Sequence, residues 1–143
     1  SLYLIGIALE PIIGSLRFTY LYLLSLLGGS VAVLWFANPV SGVVGASGAI
    51  FGLMGAYFVV LRTLRAQSNQ ILYVIAFNLF FTFINSGISW EAHIGGLFTG
   101  ALVALIYAQT RSLARAKLQN TYLAILFAAL IGLSLIRATN LLG

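Results

Sequence analysis

A serine hydroxyl is a weak nucleophile until a base stands beside it. Residues 45–48 read Gly-Ala-Ser-Gly and continue Ala-Ile-Phe-Gly-Leu-Met-Gly-Ala, so Ser47 sits between small residues at the start of an apolar stretch. The only histidine of the chain, His93, opens a second apolar stretch that carries Gly95, Gly96 and Gly100. An imidazole ionises at about pH 6.5, so its neutral ring can take a hydroxyl proton and return it to a leaving amine. A serine and a histidine opening two apolar stretches could together carry out nucleophilic acyl transfer, such as peptide-bond hydrolysis. In soluble serine proteases a carboxylate orients the histidine. Neither acid here is well placed for that: Glu10 falls at the far end of the bundle, and Glu91 is only two residues from His93.

The elements that must position this pair are set by composition. The chain is 62% hydrophobic and 6% charged, whereas a soluble domain is about a quarter charged. So few charges cannot cover a water-soluble globule. The reading is an all-α, polytopic transmembrane helical bundle, one domain over residues 1–143. Cysteine is absent, which excludes disulfides and thiolate metal sites. One histidine and two acids do not assemble a protein metal site, and no cofactor is expected. The net charge of +5 reports membrane topology in so apolar a chain, not a nucleic-acid partner. The sequence begins at Ser1 within an apolar run, without a visible signal peptide, and reads as a fragment lacking its N-terminal part.

Polar breaks divide the chain into spans. Residues 1–9 read as the tail of a helix, ended by Glu10-Pro11 and Gly14. Residues 18–37 form a full span stopped at Asn38-Pro39, because proline cannot continue the ladder and restrains its predecessor. Further spans are predicted at 47–61, 71–84, 92–108 and 121–136. A bilayer core needs about 20 helical residues. The spans opening at Ser47 and Ala92 are therefore expected to be short, with their polar starts in a cavity below the membrane surface.

Consecutive spans alternate direction. Arg17, Arg62, Arg65, Arg111, Arg115 and Lys117 then fall on one side and Arg137 on the other. The richer side reads as cytoplasmic, and Ser47 and His93 both lie at the opposite, outer ends of their helices. Gly48, Gly52 and Gly55 stripe the first of these helices; Ala92, Gly96, Gly100 and Ala104 stripe the second. Such stripes let helix backbones approach closely in lipid. Packing stripe to stripe aligns the two N-terminal ends and makes a Ser47–His93 hydrogen bond geometrically reasonable. Tyr3, Tyr20, Tyr22, Trp35 and Trp90 read as interfacial anchors. Asn78 and Asn85 read as helix-bonding or capping groups.

These residues resemble a known family. Gly45-Ala46-Ser47-Gly48, followed by Ala49-Ile50-Phe51-Gly52, is similar to the serine motif of rhomboid intramembrane proteases. Ala92-His93-Ile94-Gly95-Gly96, with Gly100 after it, is similar to their histidine motif. Leu9-Glu10-Pro11 with Gly14 resembles the family's cytoplasmic turn after its second helix.

The resemblance implies Ser47 as nucleophile and His93 as general base, a dyad without an acid. Phe51 would be the ring stacked on the histidine. The Ser47 backbone N–H, helped by Ala46, would contribute to the oxyanion hole, and Gly45 would leave room for the chain to turn. Gly48 would support this start, and Gly52, Gly55, Gly96 and Gly100 would pack the two helices. The family's first helix, the loop after it and the start of the second helix would fall before residue 1, with the histidine and asparagine that complete the hole. The span at 121–136 resembles the seventh helix of some members. The implied partners are transmembrane protein substrates in the lipid bilayer of the cell membrane, with the active site opening to the non-cytoplasmic side. Two other readings stay open: a non-catalytic rhomboid-fold protein that binds membrane helices, and a small channel or transporter with His93 as proton relay. The last lacks the paired acids and repeats such a protein would carry.

Overall fold

The computed structural model describes residues 1–38 and 46–143. Among the described residues the secondary structure is entirely helical: α1 (Leu2–Ile13), α2 (Ser15–Phe36), α3 (Ser47–Thr63), α4 (Asn69–Ile84), α5 (Trp90–Gln109), a 3-10 turn (Leu113–Arg115) and α6 (Ala116–Leu142). Helices satisfy their own backbone groups, which hydrocarbon cannot do for them. Among the described residues three stretches are long and apolar enough to cross a membrane: Ser15–Phe36, Trp90–Gln109 and Leu113–Leu141. The helices α1, α3 and α4 are shorter and also apolar.

Two boundaries differ from expectation. Pro11 lies inside α1. So close to the helix end, it removes a single ladder bond, and Gly14 N–H still reaches the Glu10 carbonyl at 2.8 Å. The terminator is Gly14, the other residue expected to end it, whose φ of 89° is a left-handed conformation that glycine adopts freely. The second difference is α5, which has 20 residues and begins at Trp90, ahead of Ala92. It is a full-length span, because Ser89 caps it early. The helix opening at Ser47 is short as predicted, with 17 residues.

The helices α2, α3 and α5 form the centre, and α1, α4 and α6 pack around them. Leu9, Leu21, Leu53 and Val103 are fully buried between these elements. Large apolar side chains face outward instead on α4 (Phe77, Phe80, Phe83) and α6 (Ile125, Phe127, Leu135). In a bilayer such a surface is matched to lipid.

Helix directions alternate. The end of α1 (Ile13), the start of α2 (Arg17), the end of α3 (Thr63) and the end of α5 (Tyr107, Arg111) line one cavity. At this same end Arg17 donates to Gln119 Oε1 (3.0 Å), and Gln119 Nε2 donates to Thr110 Oγ1 (2.7 Å), which anchors the start of α6. At the opposite end Trp35 Nε1 donates to the Leu133 carbonyl (3.2 Å) and Arg137 Nε to the Leu34 carbonyl (2.9 Å). Trp35, expected as an interfacial anchor, thus clamps α6 to α2. Asn78 and Asn85 bond back to carbonyls of their own helix, at Val74 and Phe81.

Candidate active site

Ser47 is the first residue of α3 and is half-buried. The first bond of the α3 ladder runs from Ile50 N–H to the Ala46 carbonyl at 3.1 Å. The amides of Ser47, Gly48 and Ala49 lie ahead of that bond, at the positive end of the helix. Ala46 is exposed beside them, and Gly48 is buried. Gly45 lies outside the described residues.

His93 sits in the first turn of α5. Ser89 starts that turn: its Oγ accepts from Ala92 N–H at 3.2 Å and donates to Glu91 Oε2 at 2.8 Å. Glu91 is thereby held at the helix mouth, away from the imidazole. Replacing Ser89 by Ala should cost about 1 kcal/mol. A titration of the helical fold with SDS in mixed micelles measures that loss.

The His93 ring is 5% exposed. One face stacks on Phe51, with centroids 4.0 Å apart and planes 16° from parallel. Phe51 is four residues after Ser47, so the two lie one above the other on the same side of α3. The ring's Nδ1 lies 2.8 Å from Thr82 Oγ1 on α4. The other nitrogen, Nε2, is buried and makes no hydrogen bond among the described residues. The Ser47–His93 bond read from the sequence is therefore not made. The stack on Phe51 sets the ring plane, and the Thr82 contact holds Nδ1.

Glycines bring the two helices together. A Cβ on Gly96 would collide with the Gly48 carbonyl, and one on Gly100 with that of Gly52. In return, a Cβ on Gly48 would stand 2.9 Å from the Ala92 carbonyl, and one on Gly52 2.8 Å from that of Gly96. Gly55 meets the Leu97 carbonyl in the same way, at 2.6 Å. The α3–α5 seam is backbone on backbone. Such contact brings Cα–H groups against carbonyls in a medium that offers no hydrophobic drive for association. Ser47 precedes Gly48, and His93 follows Ala92, so this contact sets the two side chains at neighbouring helix starts.

Two contributors were not read from the sequence. The first is α2, which forms the third wall: Gly29 packs on the Ala92 carbonyl and on Gly48, and Ser25 on Gly52. The Gly28-Gly29 pair within an apolar span was its available signal. The second is Thr82, for which the sequence holds no signal. Among the described residues no group of acids and histidine could hold a metal ion.

Apolar helices joined through glycine seams define an all-helical, polytopic membrane protein. Residues 1–110 match the Rhomboid domain, and the chain belongs to the rhomboid family. It is similar to the putative rhomboid protease YdcA of Bacillus subtilis, with 39% identity over 117 residues, covering 78% of this chain and 58% of that protein. It is also similar to the rhomboid protease GluP of the same organism, with 39% identity over 109 residues, 73% of this chain and 21% of that one. A mouse relative, rhomboid-related protein 2, is 34% identical over 113 residues, 67% of this chain and 37% of its own. The chain therefore spans from about a fifth to under two thirds of the length of these relatives. No solved structure gives a significant match. All of α6 (Ala116–Leu142) lies beyond residues 1–110.

Proposed function

We propose that this chain is the catalytic region of an intramembrane serine endopeptidase. Its substrates are membrane proteins, cut in or near their transmembrane helices. Ser47 is the nucleophile and His93 the general base. The observation that carries this reading is the His93 ring: buried, stacked on the residue one turn beyond Ser47, and with Nε2 unbonded among the described residues. The named rhomboid proteases among its relatives support it.

The chemistry follows from these positions. Ser47 Oγ attacks the scissile carbonyl carbon while its proton passes to Nε2. The oxyanion forms where α3 begins, in reach of the Ser47 amide and with Ala46 beside it. One such donor is typically worth about 3–4 kcal/mol in the transition state. Collapse of the intermediate breaks the C–N bond, and the proton on Nε2 goes to the leaving amine. Water then attacks the acyl-Ser47 ester, losing its proton to the same nitrogen; the bond from the acyl carbon to Ser47 Oγ breaks, Oγ takes that proton back, and the acid is released. An intact substrate helix hides its carbonyls in its own ladder, so the cleaved segment must unwind first. Small or helix-breaking residues there lower that cost.

The charge asymmetry of the helix ends supports a multi-pass arrangement in the cell membrane with Ser47 and His93 toward the non-cytoplasmic side. The test is a fluorophosphonate probe, which esterifies an activated serine. The reading expects labelling of Ser47 that disappears in Ser47→Ala. An unlabelled, folded protein would overturn it in favour of a family member that binds membrane helices without cutting them.

A further inference from the structure

Thr82 stands 2.8 Å from two groups at once: its Oγ1 reaches the Asn78 carbonyl of its own helix and Nδ1 of His93 on the next. Thr82 is 3% exposed and His93 5%, so water does not share these bonds. A threonine hydroxyl has a single proton and two lone pairs. Donating that proton to the Asn78 carbonyl leaves a lone pair that can only accept from His93, so Nδ1 must carry hydrogen. The opposite assignment fails twice. If the hydroxyl donated to Nδ1, two acceptor oxygens, Thr82 Oγ1 and Asn78 O, would face each other at 2.8 Å with no proton between them. The proton of His93 would then sit on Nε2, which is buried and without a partner among the described residues. An orphaned buried N–H is rarer in proteins than an under-used acceptor.

We infer that Thr82 is a positioning residue that holds neutral His93 in the Nδ1–H tautomer. The inference rests on the Ser47–His93 reading only for its consequence. With hydrogen on Nδ1, the bare lone pair is on Nε2, the nitrogen that must receive the serine proton. With hydrogen on Nε2 the ring could not act as base there. Thr82 thus does, with a neutral hydroxyl from α4, what a carboxylate does in soluble serine proteases: it selects the tautomer and the ring orientation. The chain's two acids are not needed for this, and Glu91 is engaged by Ser89 instead.

The experiment is solid-state NMR of the 15N-histidine-labelled protein in lipid bilayers, at a pH where the ring is neutral. The His93→Ala spectrum assigns the signals. The expected result is a protonated Nδ1 and a bare Nε2. In Thr82→Val, which keeps the shape and removes the acceptor, the ring should shift toward Nε2–H and cleavage should fall about tenfold or more. Thr82→Ser should restore both the tautomer and the cleavage. A wild-type ring protonated at Nε2 overturns the inference, and so does Thr82→Val with an unchanged spectrum and unchanged turnover. If the valine variant does not fold, the wild-type and serine-variant spectra decide alone. The protease reading fails separately, through absence of Ser47 labelling, and that failure leaves the tautomer result standing.

Discussion

Cleavage of a membrane substrate should fall at least about a thousandfold in Ser47→Ala, with the fold unchanged. Triad members of soluble serine proteases show losses of this size or greater when removed singly. The separation of effects is favourable at this position. Ser47 is half-buried at the first position of α3 and does not cap the helix with its side chain, and alanine is the better helix former. Stability should therefore move by no more than about 0.5 kcal/mol. His93→Ala should abolish cleavage equally, but it also empties the stack on Phe51 and leaves Thr82 without its partner. That variant should lose about 2–4 kcal/mol of stability as well. Combining the two should be no slower than either alone, because a nucleophile without its base, or a base without its nucleophile, already does nothing. Turnover of a fluorogenic membrane substrate in proteoliposomes is the measurement. Near-normal turnover in Ser47→Ala would remove the catalytic assignment altogether.

The second large effect is expected at Gly96. A methyl there is driven into the Gly48 carbonyl, and the obstacle is helix backbone, which cannot rotate aside as a side chain does. Overpacking a well-filled interior typically costs about 1–3 kcal/mol. Gly96→Ala should lie at the top of that range or above, and it should lower cleavage by moving α3 off α5. Gly100→Ala should behave alike, since it meets the Gly52 carbonyl. Gly132 on α6 is the internal control, because a Cβ there meets nothing within 4 Å. Gly132→Ala should be neutral or stabilising by up to about 1 kcal/mol through helix propensity alone. SDS titration of the three variants separates the cases. Equal stability of Gly96→Ala and wild type would show that the seam is not the tight contact described.

Much of this arrangement is legible in the residues themselves. The alternation of apolar runs and basic breaks dictates a helical bundle. The glycine spacings at 48, 52 and 55 and at 96 and 100 identify the faces that approach. Helix ends are less legible, because hydrogen bonds set them and hydropathy does not. Of the residues read as ending α1, Glu10-Pro11 falls inside the helix and Gly14 is the real stop, and Ser89 starts α5 ahead of the apolar run. Thr82 is not legible at all. It lies among phenylalanines in α4, and only the fold brings it across the intervening loop to His93. Which nitrogen of a histidine is free depends on such a contact, and no spacing rule encodes it.

The Gly48–Gly96 and Gly52–Gly100 contacts index one helix against the other, as teeth index a ratchet. Sliding α3 one residue along α5 means a shift of about 1.5 Å and a rotation of about 100°. That motion would carry Ala49 or Phe51 into slots that admit only a hydrogen atom. The relative height of Ser47 and His93 is therefore fixed within the first two turns or so of each helix by residues with no functional group. Drift in that height is blocked in both directions, so the two helix starts keep their alignment even where the neighbouring turns are free to breathe.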